Sequence, residues 1–540
     1  MPYSPNTDIW FINAPLTRGD GRQIDFATAA GQAQYFKNLP GTILIENCTY
    51  QRRDAPVRVP YFYDDLRQYN YMCFQNQAGK DIYCYITGMR YINDTMTEVS
   101  FEVDYFQTWL FQMQLRPCLV IREHTATDEP YEHTVPENLE TGTPIEIDRV
   151  NAMPFYLYGE TPAEFDANFY IMFVFTQKIE QFHQTVTDPY PNIFLGGMPA
   201  GVFYYAVGRA DIHTIIEIIN TNGLSDALVA CYIVPKSALT WSTLNTSPHI
   251  YAPADKDIPE VDIMPPKGYA IPGVMEVKNR KTYCYPYHYY RLTTFSGKAV
   301  DLKTELFKAI SVAETRMHFK TVFSGQVNPQ LLVIPINYAY TDTVHDGKNF
   351  SYAVEYTDFP QVPTQSDVYK NYAALNASKI GLEKIENFAS IARGIVGLAG
   401  SGGETGAQDI AGGIAGMIKM QAGFTDMQRI PDKLQGTPTG STLQQSHGAG
   451  VFVSEMCAKP EYLYMVDDYF TMYGYKVNRL KQPQFTSRQH WNYIQTANAD
   501  VGGNITADDA EKLQAIFNSG LTVWHIPSEF GTYTADNRPA

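Results

Sequence analysis

The chain has 540 residues, long enough for about three or four ordinary domains, and carries 57 acidic against 41 basic side chains, a net charge of −16. That balance argues against a protein that grips nucleic-acid phosphate, because such binding rests on Lys and Arg neutralising phosphates. No stretch reaches about 18 consecutive strongly apolar residues, so no conventional membrane span is expected. The opening MPYSPNTDIW lacks the basic and apolar regions of a secretory signal, so the chain reads as one made in a cytosol and kept soluble.

The 39 tyrosines and 29 phenylalanines favour half-buried pleated surfaces, hence much β structure. The first 125 residues read as strands with no sustained helical period. In TEVSFEVDY, Val99, Phe101, Val103 and Tyr105 alternate with Glu98, Ser100, Glu102 and Asp104, which predicts one apolar and one acidic face. GTILIENCTY and DIYCYITGMRYI are similar. Residues 126–150 read as a polar connection. ANFYIMFVFTQ and ALVACYIVP read as buried strands, with DIHTIIEIINTNG between them placing Ile212, Ile215, Ile216 and Ile219 on one helical face. The strand, helix, strand order suggests a small α/β module. Residues 249–273, rich in Pro and Asp, read as a linker or extended arm.

Strands resume over 274–360, with a hairpin turn at Ser296-Gly297. TYCYPYHYYR has the aromatics of a single-strand stacking platform, but Lys281 and Arg291 are its only near bases; strand packing is the other reading. From 366 the pattern turns helical, with Ser366 or Asp367 as N-cap. After 446, YGYKVNRL and HWNYIQT read as strands, and NITADDAEKLQAIFNSG as a helix capped by Thr506 with Leu513, Ile516 and Phe517 inward. LTVWHI makes a last strand.

Nothing in the chain advertises catalysis. No histidine pair has metal spacing, and no GxSxG, GxxxxGK[ST] or strand-linked GxGxxG occurs. Arg18-Gly19-Asp20 spells an adhesion tripeptide inside what reads as a turn. The pair Asp467-Asp468 reads as a solvated acidic face. The seven cysteines contain no CxxC and are odd in number, which predicts free buried thiols rather than disulfides or zinc. No catalytic residue, metal or cofactor is assigned.

The one anomalous segment is IARGIVGLAGSGGETGAQDIAGGIAGMIKMQAGF, residues 391–424. Eleven glycines lie between Gly381 and Gly423, and 388–424 holds only Arg393, Glu404, Asp409 and Lys419 as charged side chains. Phe388, Ile391, Ile395, Val396 and Leu398 form one apolar arm. Ile410, Ile414, Met417, Ile418, Met420 and Phe424 form another, and GSGGETGAQD between them is a polar turn. Glycine costs roughly 0.5–1 kcal/mol each inside a helix, whereas in lipid small residues such as Gly412 and Gly416 let backbones approach. Each arm, about 22 Å long as a helix, falls short of the roughly 30 Å hydrocarbon core. A sheltered hairpin that later meets a bilayer and a permanent packing hairpin both fit this composition.

Three quoted stretches carry a resemblance: FEVDYFQTWLF with VIREH at 101–124, TYCYPYHYYRLTTFSGKAVDLKTELF at 282–307, and YGYKVNRLKQPQFTSRQHWNYIQTANADVGGNITADDAEKLQAIFNSGLTVWH at 473–525. With the glycine-rich hairpin between them, the chain resembles the tail knob, or distal tail tube, proteins of picovirus-type short-tailed phages of Gram-positive bacteria. The resemblance implies a mainly β, α+β, multi-domain protomer of a hexameric β-rich tube with an internal long hydrophobic hairpin loop. It divides the chain into a β tube domain at 1–125, an inserted α/β domain at 126–265, and a second β tube domain at 266–365. A helical, glycine-rich membrane-active loop at 366–445 and a C-terminal α+β domain at 446–540 complete it. It further implies a virion tail-tip location after assembly in the host cytoplasm. The partners it implies are five further copies, adjacent tail or collar proteins, DNA passing unbound through the lumen, and the host cell membrane. The loop arms would contact lipid, Arg393 and Lys419 would reach for head groups, and Glu404 and Asp409 would mark the tip. The alternative is a purely structural tail or adsorption-ring protein whose loop is only a packing plug.

Overall fold

The computed structural model describes residues 7–48, 53, 55–76, 78–129, 132–155, 162–182, 193–194, 198–199, 202–222, 224, 227–254, 256–261, 268–271, 273–294, 297–307, 317–325, 329–335, 338, 354–356, 361–362, 364–366, 433–435 and 449–539. The chain forms two compact units, each assembled from separated segments: 1–143, 268–287 and 458–540 in the first, 144–267 and 288–457 in the second. Mostly β structure fills both, as the aromatic content predicts.

In the first unit a six-stranded sheet runs Ile43–Cys48, Thr7–Ile12, Tyr71–Gln75, Asp81–Asn93, Met96–Val103, Val57–Val59. A five-stranded sheet runs Arg22–Ile24, Leu521–Trp524, Trp491–Ala497, Cys118–Glu123, Tyr475–Lys481. Arg22–Ile24 lies parallel to Leu521–Trp524, with Gln23 opposite Val523. Helix Ala507–Ser519 packs Leu513 and Phe517 onto Val120, Ile494 and Val523 of that sheet. Thr506 caps it, its hydroxyl accepting from the Asp509 N–H, as the sequence predicts.

The alternation in TEVSFEVDY ends one residue early. Asp104 is not on an acidic face but buried at 2 % exposure, capping the short helix Tyr105–Trp109 by accepting from the Gln107 N–H at 3.1 Å. It also accepts from the Tyr71 hydroxyl (3.1 Å) and Gln23 Nε2 (3.3 Å). Gln107 Nε2 donates to the Ile24 carbonyl and Gln23 Oε1, each 2.8 Å. This polar joint therefore ties strand Arg22–Ile24 of one sheet to strands of the other. Burial raises the Asp104 carboxyl above its usual range against the pull of these donors. The adhesion tripeptide is a turn: Arg18 pairs with Glu102 at 2.5 Å, and Asp20 accepts from the Arg22 backbone and guanidinium.

Among the described residues, two of the longer helices escaped sequence reading. Ala29–Lys37 buries only Gln32 and Phe36, too few positions to print a 3.6-residue stripe. Pro460–Tyr473 ends at Gly474, whose φ of +62° lies in the left-handed region. A Cβ there would stand 2.2 Å from the Glu123 carbonyl oxygen, so only glycine lets the next strand begin against Cys118–Glu123. Asp467 on this helix is buried, not solvated, and accepts from the Lys278 and Asn279 backbone N–H groups at 2.9 and 3.0 Å.

Next to Gly474 runs a buried polar seam. The Tyr493 N–H donates to His124 Nδ1 (2.7 Å), which leaves Nε2 to donate to the Thr471 carbonyl (3.1 Å). Both ring nitrogens are thus satisfied by a neutral imidazole. Burial, then the Arg488 guanidinium, pushes His124 down to about 3, and burial pushes His133 down to about 4. Glu137 accepts from Lys281 Nζ (2.5 Å), the Lys476 N–H (2.7 Å) and Arg122. Asp128 accepts from the Tyr475 hydroxyl and the Arg280 N–H.

The second unit has a six-stranded sheet ordered Thr240–Thr246, His249–Ala254, Phe203–Val207, Phe169–Phe175, Leu228–Pro235, Gln361–Val362. Its pairs are antiparallel, so the expected strand, helix, strand module contains no parallel crossover: strand Phe203–Val207 intervenes before helix Ile212–Thr221. A four-stranded sheet runs Ile145–Phe155, Ala449–Cys457, His288–Thr294, Ala299–Lys303. Another runs Lys256–Val261, Met317–Gly325, Pro329–Pro335, Val354–Tyr356. One core joins all three sheets through Val174, Tyr232, Leu292, Val453, Phe319 and Leu331. Helix residues Ile212, Ile215 and Ile219 close a second cluster with Ile171, Phe173 and Val207. Each such side chain contributes about 1.5–3 kcal/mol on full burial.

Within 126–150 and 249–273, read as connections, the structure places strands Ile145–Phe155, His249–Ala254 and Lys256–Val261. Their ladders shift register between Glu146 and Asp148, Asn151 and Met153, and Ile258 and Val261. Such shifts interrupt the period-2 pattern by which strands are read. The strands on either side of Gly297 form a hairpin, with Gly297 at φ +89° and Tyr289–Thr293 opposite Lys303–Ala299; Ser296 lies outside the described residues. All seven cysteines are buried and free, as expected.

The neutral imidazoles set an acid limit on the first unit. In the unfolded chain a histidine takes its proton below about 6.5, while folded His124 refuses it until about 3. Stability is therefore lost as pH falls through that window. Asp104, Asp128, Asp467 and Glu123, raised by burial, act with the opposite sign. His124→Gln keeps one acceptor and one donor but cannot titrate. Urea midpoints at pH 7, 5 and 4 should fall less steeply for the variant than for the parent; equal slopes would contradict this account.

Candidate functional site

Short strands flank the glycine-rich segment on both sides. Gln361–Val362 pairs with Leu228–Pro235 at the edge of the six-stranded sheet, Val362 opposite Cys231. Thr364–Ser366 then pairs antiparallel with Lys433–Gln435, Thr364 opposite Gln435 and Ser366 opposite Lys433. Ser366 ends that strand, and the helix expected to start at Ser366 or Asp367 lies outside the described residues. The departing and returning backbones run side by side, about 5 Å apart. Between them lie 367–432, outside the described residues, and with them Phe388, Ile391, Arg393, Ile395, Val396, Leu398, Glu404, Asp409, Ile410, Ile414, Met417, Ile418, Lys419, Met420 and Phe424, as well as the helical reading from Asp367. No helix among the described residues is long and apolar enough to cross a membrane.

The returning chain is fixed more firmly than the departing one. Strand Ala449–Cys457 is interior to its sheet, paired with Ile145–Phe155 on one side and His288–Thr294 on the other. Val451 and Val453 are fully buried in the three-sheet core. Across the ladder, His288 Nε2 meets Glu455 Oε1 at 2.8 Å, and His288 Nδ1 meets Thr304 Oγ1 at 2.7 Å. Burial, then the Glu455 carboxylate, holds the Tyr290 phenol well above its ordinary value. Arg149 lies over the Phe452 ring at 4.4 Å.

An acid, an imidazole and a hydroxyl in line are the parts of a nucleophile relay. Here Glu455, His288 and Thr304 are 7, 0 and 1 % exposed, so no substrate reaches the hydroxyl and the line serves as a clasp between three strands and turns. Neither Glu455 nor Thr304 stands out in the sequence; a lone His-Tyr-Tyr in an apolar strand is the only hint of a buried polar partner. Tyr283, Tyr287, Tyr289 and Tyr290 are buried, with Tyr285 alone exposed among the five, which decides for packing over a stacking platform. Among the described residues no cluster of three or more His, Cys, Asp or Glu is placed to hold a metal.

Breaking the clasp should loosen the strand that receives the segment. Glu455→Ala leaves the His288 imidazole buried without its acceptor, at a cost of about 3 kcal/mol. Thermal unfolding followed by circular dichroism should show a clear fall in midpoint, and an unchanged midpoint would remove the clasp from the account.

The profile described as Bacillus phage phi29, tail knob protein gp9, C-terminal domain, matches residues 257–538, and that of the caudoviral major tail protein N-terminus matches 5–114. The tail knob protein gp9 of Bacillus phage B103 is 25% identical over 99% of this chain and 100% of its own length. That of Bacillus phage phi29 is 24% identical over 95% of each. The solved tail knob protein gp12 of bacteriophage C1 shares the fold, with a TM-score of 0.56 at 14% identity over 98% of this chain and 99% of its own. The phi29-type profile spans more than half the chain, from strand Lys256–Val261 to residue 538, and the chain belongs to the tail knob protein family of picovirus-type phages.

Proposed function

We propose that the chain is a structural protein of the virion, the knob at the distal end of a short tail, and that its 388–424 segment opens the host cell membrane for genome delivery. In this reading six copies close a β-rich tube joined to adjacent tail or collar proteins, and DNA passes through the lumen without specific binding. An excess of acid suits that passage, since phosphate contacts would slow it.

The observation that carries the reading is the root of the segment. A glycine-rich, apolar insertion has both ends in one antiparallel ladder, beside a core that joins three sheets. An insertion held this way can change its surroundings without unwinding the unit that bears it. The arms would be stored away from water and pushed outward on attachment. Phe388, Ile391, Ile395, Val396, Leu398, Ile410, Ile414, Met417, Ile418, Met420 and Phe424 would then meet acyl chains, at about 1.5–3 kcal/mol for each large side chain fully buried. Arg393 and Lys419 would snorkel to head groups or face the water of the pore.

Deleting 386–425 tests this. The ladder at 364–366 and 433–435 remains, so the shortened protein should fold and assemble, fail to release dye from liposomes, and yield virions that adsorb without delivering DNA. Leakage that survives the deletion would reduce the segment to a plug.

Glu404 and Asp409 must cross lipid or lose their charge, which a carboxyl does more readily near its ordinary pKa of about 4. Leakage by the intact protein should be several-fold faster at pH 5.5 than at pH 7.5. The Glu404→Gln, Asp409→Asn double variant should lose most of that difference. Leakage indifferent to pH would refute the tip's role.

A further inference from the structure

The strands on the two sides of the glycine-rich segment are held very differently. On the carboxyl-terminal side, Ala449–Cys457 pairs along its length with Ile145–Phe155, and over Val451–Cys457 with His288–Thr294 as well. Opening it would break two ladders at once and lift Val451 and Val453 out of the three-sheet core. On the amino-terminal side, Gln361–Val362 is the last strand of the six-stranded sheet. Its pairing consists of Gln361 opposite Tyr232 and Val362 opposite Cys231. Just before it, Val354–Tyr356 is also the last strand of its sheet, but Val354 is 1 % exposed and belongs to the three-sheet core.

Local opening begins where the fewest contacts must break. A strand paired on one side through two residues opens far more readily than one paired on both sides along its length. The ladder of Thr364–Ser366 with Lys433–Gln435 forms a two-stranded sheet by itself, so parting Gln361–Val362 from Leu228–Pro235 leaves that ladder whole.

We infer that the Gln361–Val362 pairing is a latch, whose release lets the Thr364–Ser366 and Lys433–Gln435 ladder travel outward with the segment while Ala449–Cys457 stays in its sheet. The fixed points are then Tyr356 and Ala449. Fully extended, 357–363 spans at most about 23 Å and 436–448 at most about 43 Å. The shorter tether limits the travel, and its reach covers most of the roughly 30 Å hydrocarbon core. The latch rests on the proposed membrane role of 388–424 and specifies which side of the segment yields.

Two native cysteines provide the test. Cys231 lies opposite Val362, and Cys457 lies opposite Ile145 in the ladder expected to stay closed. Directly opposite residues of an antiparallel pair stand about 4.5–5.5 Å apart at Cα, within the span of a disulfide. In the full-length protein, oxidation should therefore lock Val362→Cys to Cys231 and Ile145→Cys to Cys457, each link checked by peptide mapping and reversed by dithiothreitol. Oxidised Val362→Cys should lose dye release from liposomes and regain it on reduction. Oxidised Ile145→Cys should release dye as its reduced form does. In the unsubstituted protein, liposomes should speed amide hydrogen exchange at 361–362 and leave 451–457 unchanged. If locked Val362→Cys still releases dye, if locking Ile145→Cys stops release as well, or if exchange at 361–362 does not change, the latch is overturned while the membrane reading stands. Failure of Val362→Cys to link to Cys231 overturns the register on which the latch depends. A parent protein that releases no dye overturns the membrane reading, and the latch with it.

Discussion

The strand that follows the glycine-rich segment must find its place late in the chain, and that place is the interior of a sheet. Strand Ala449–Cys457 fills a slot between two other strands, and its side chains complete a core shared by three sheets. An interior slot left empty would expose two strand edges and a row of unpaired backbone groups. The second unit is therefore complete only when that strand is in place. The ladder at Thr364–Ser366 and Lys433–Gln435 brings the returning chain near its slot, and the buried line of Glu455, His288 and Thr304 fixes its register, since a one-residue slip would turn Glu455 to the other face.

The same logic recurs wherever separated segments meet. Asp104 and Gln107 join two sheets of the first unit. His124, Glu137, Asp128 and Asp467 join the 118–143, 268–287 and 458–497 stretches. In a buried site an unpaired polar atom costs about 1–3 kcal/mol, so such joints penalise every wrong pairing of apolar surfaces that would otherwise be nearly as good. FEVDYFQTWLF, VIREH and the 282–307 stretch carry the resemblance to tail knob proteins, and they also contain Asp104, Gln107, His124, His288 and Thr304.

Local signals were legible where the local segment decides the outcome. Thr506 with Asp509 is a capping pattern and forms a cap; Gly297 is a turn residue and turns; isoleucines at helical spacing bury one face. The acidic positions Asp104 and Asp467 were misread because an alternating pattern cannot distinguish a solvated carboxylate from one that three donors await. Strand Ile145–Phe155 was missed because its partner lies some 300 residues on and bulges break its period. The composition of the 388–424 segment was conspicuous, but its mooring was not: TQS and KLQ are too short and too polar to announce strands, and only pairing with each other makes them so.

The parallel pairing of Arg22–Ile24 with Leu521–Trp524 also imposes a timetable on biosynthesis. The six-stranded sheet draws on residues 7–103 alone and can form while the ribosome is still translating, but strand Arg22–Ile24 must wait until nearly the whole polypeptide has emerged. The second unit is fully synthesised before then. All the segments that build the second unit are thus in hand before the strand that Arg22–Ile24 awaits has been made, and a product terminated before residue 521 leaves that strand without its parallel neighbour.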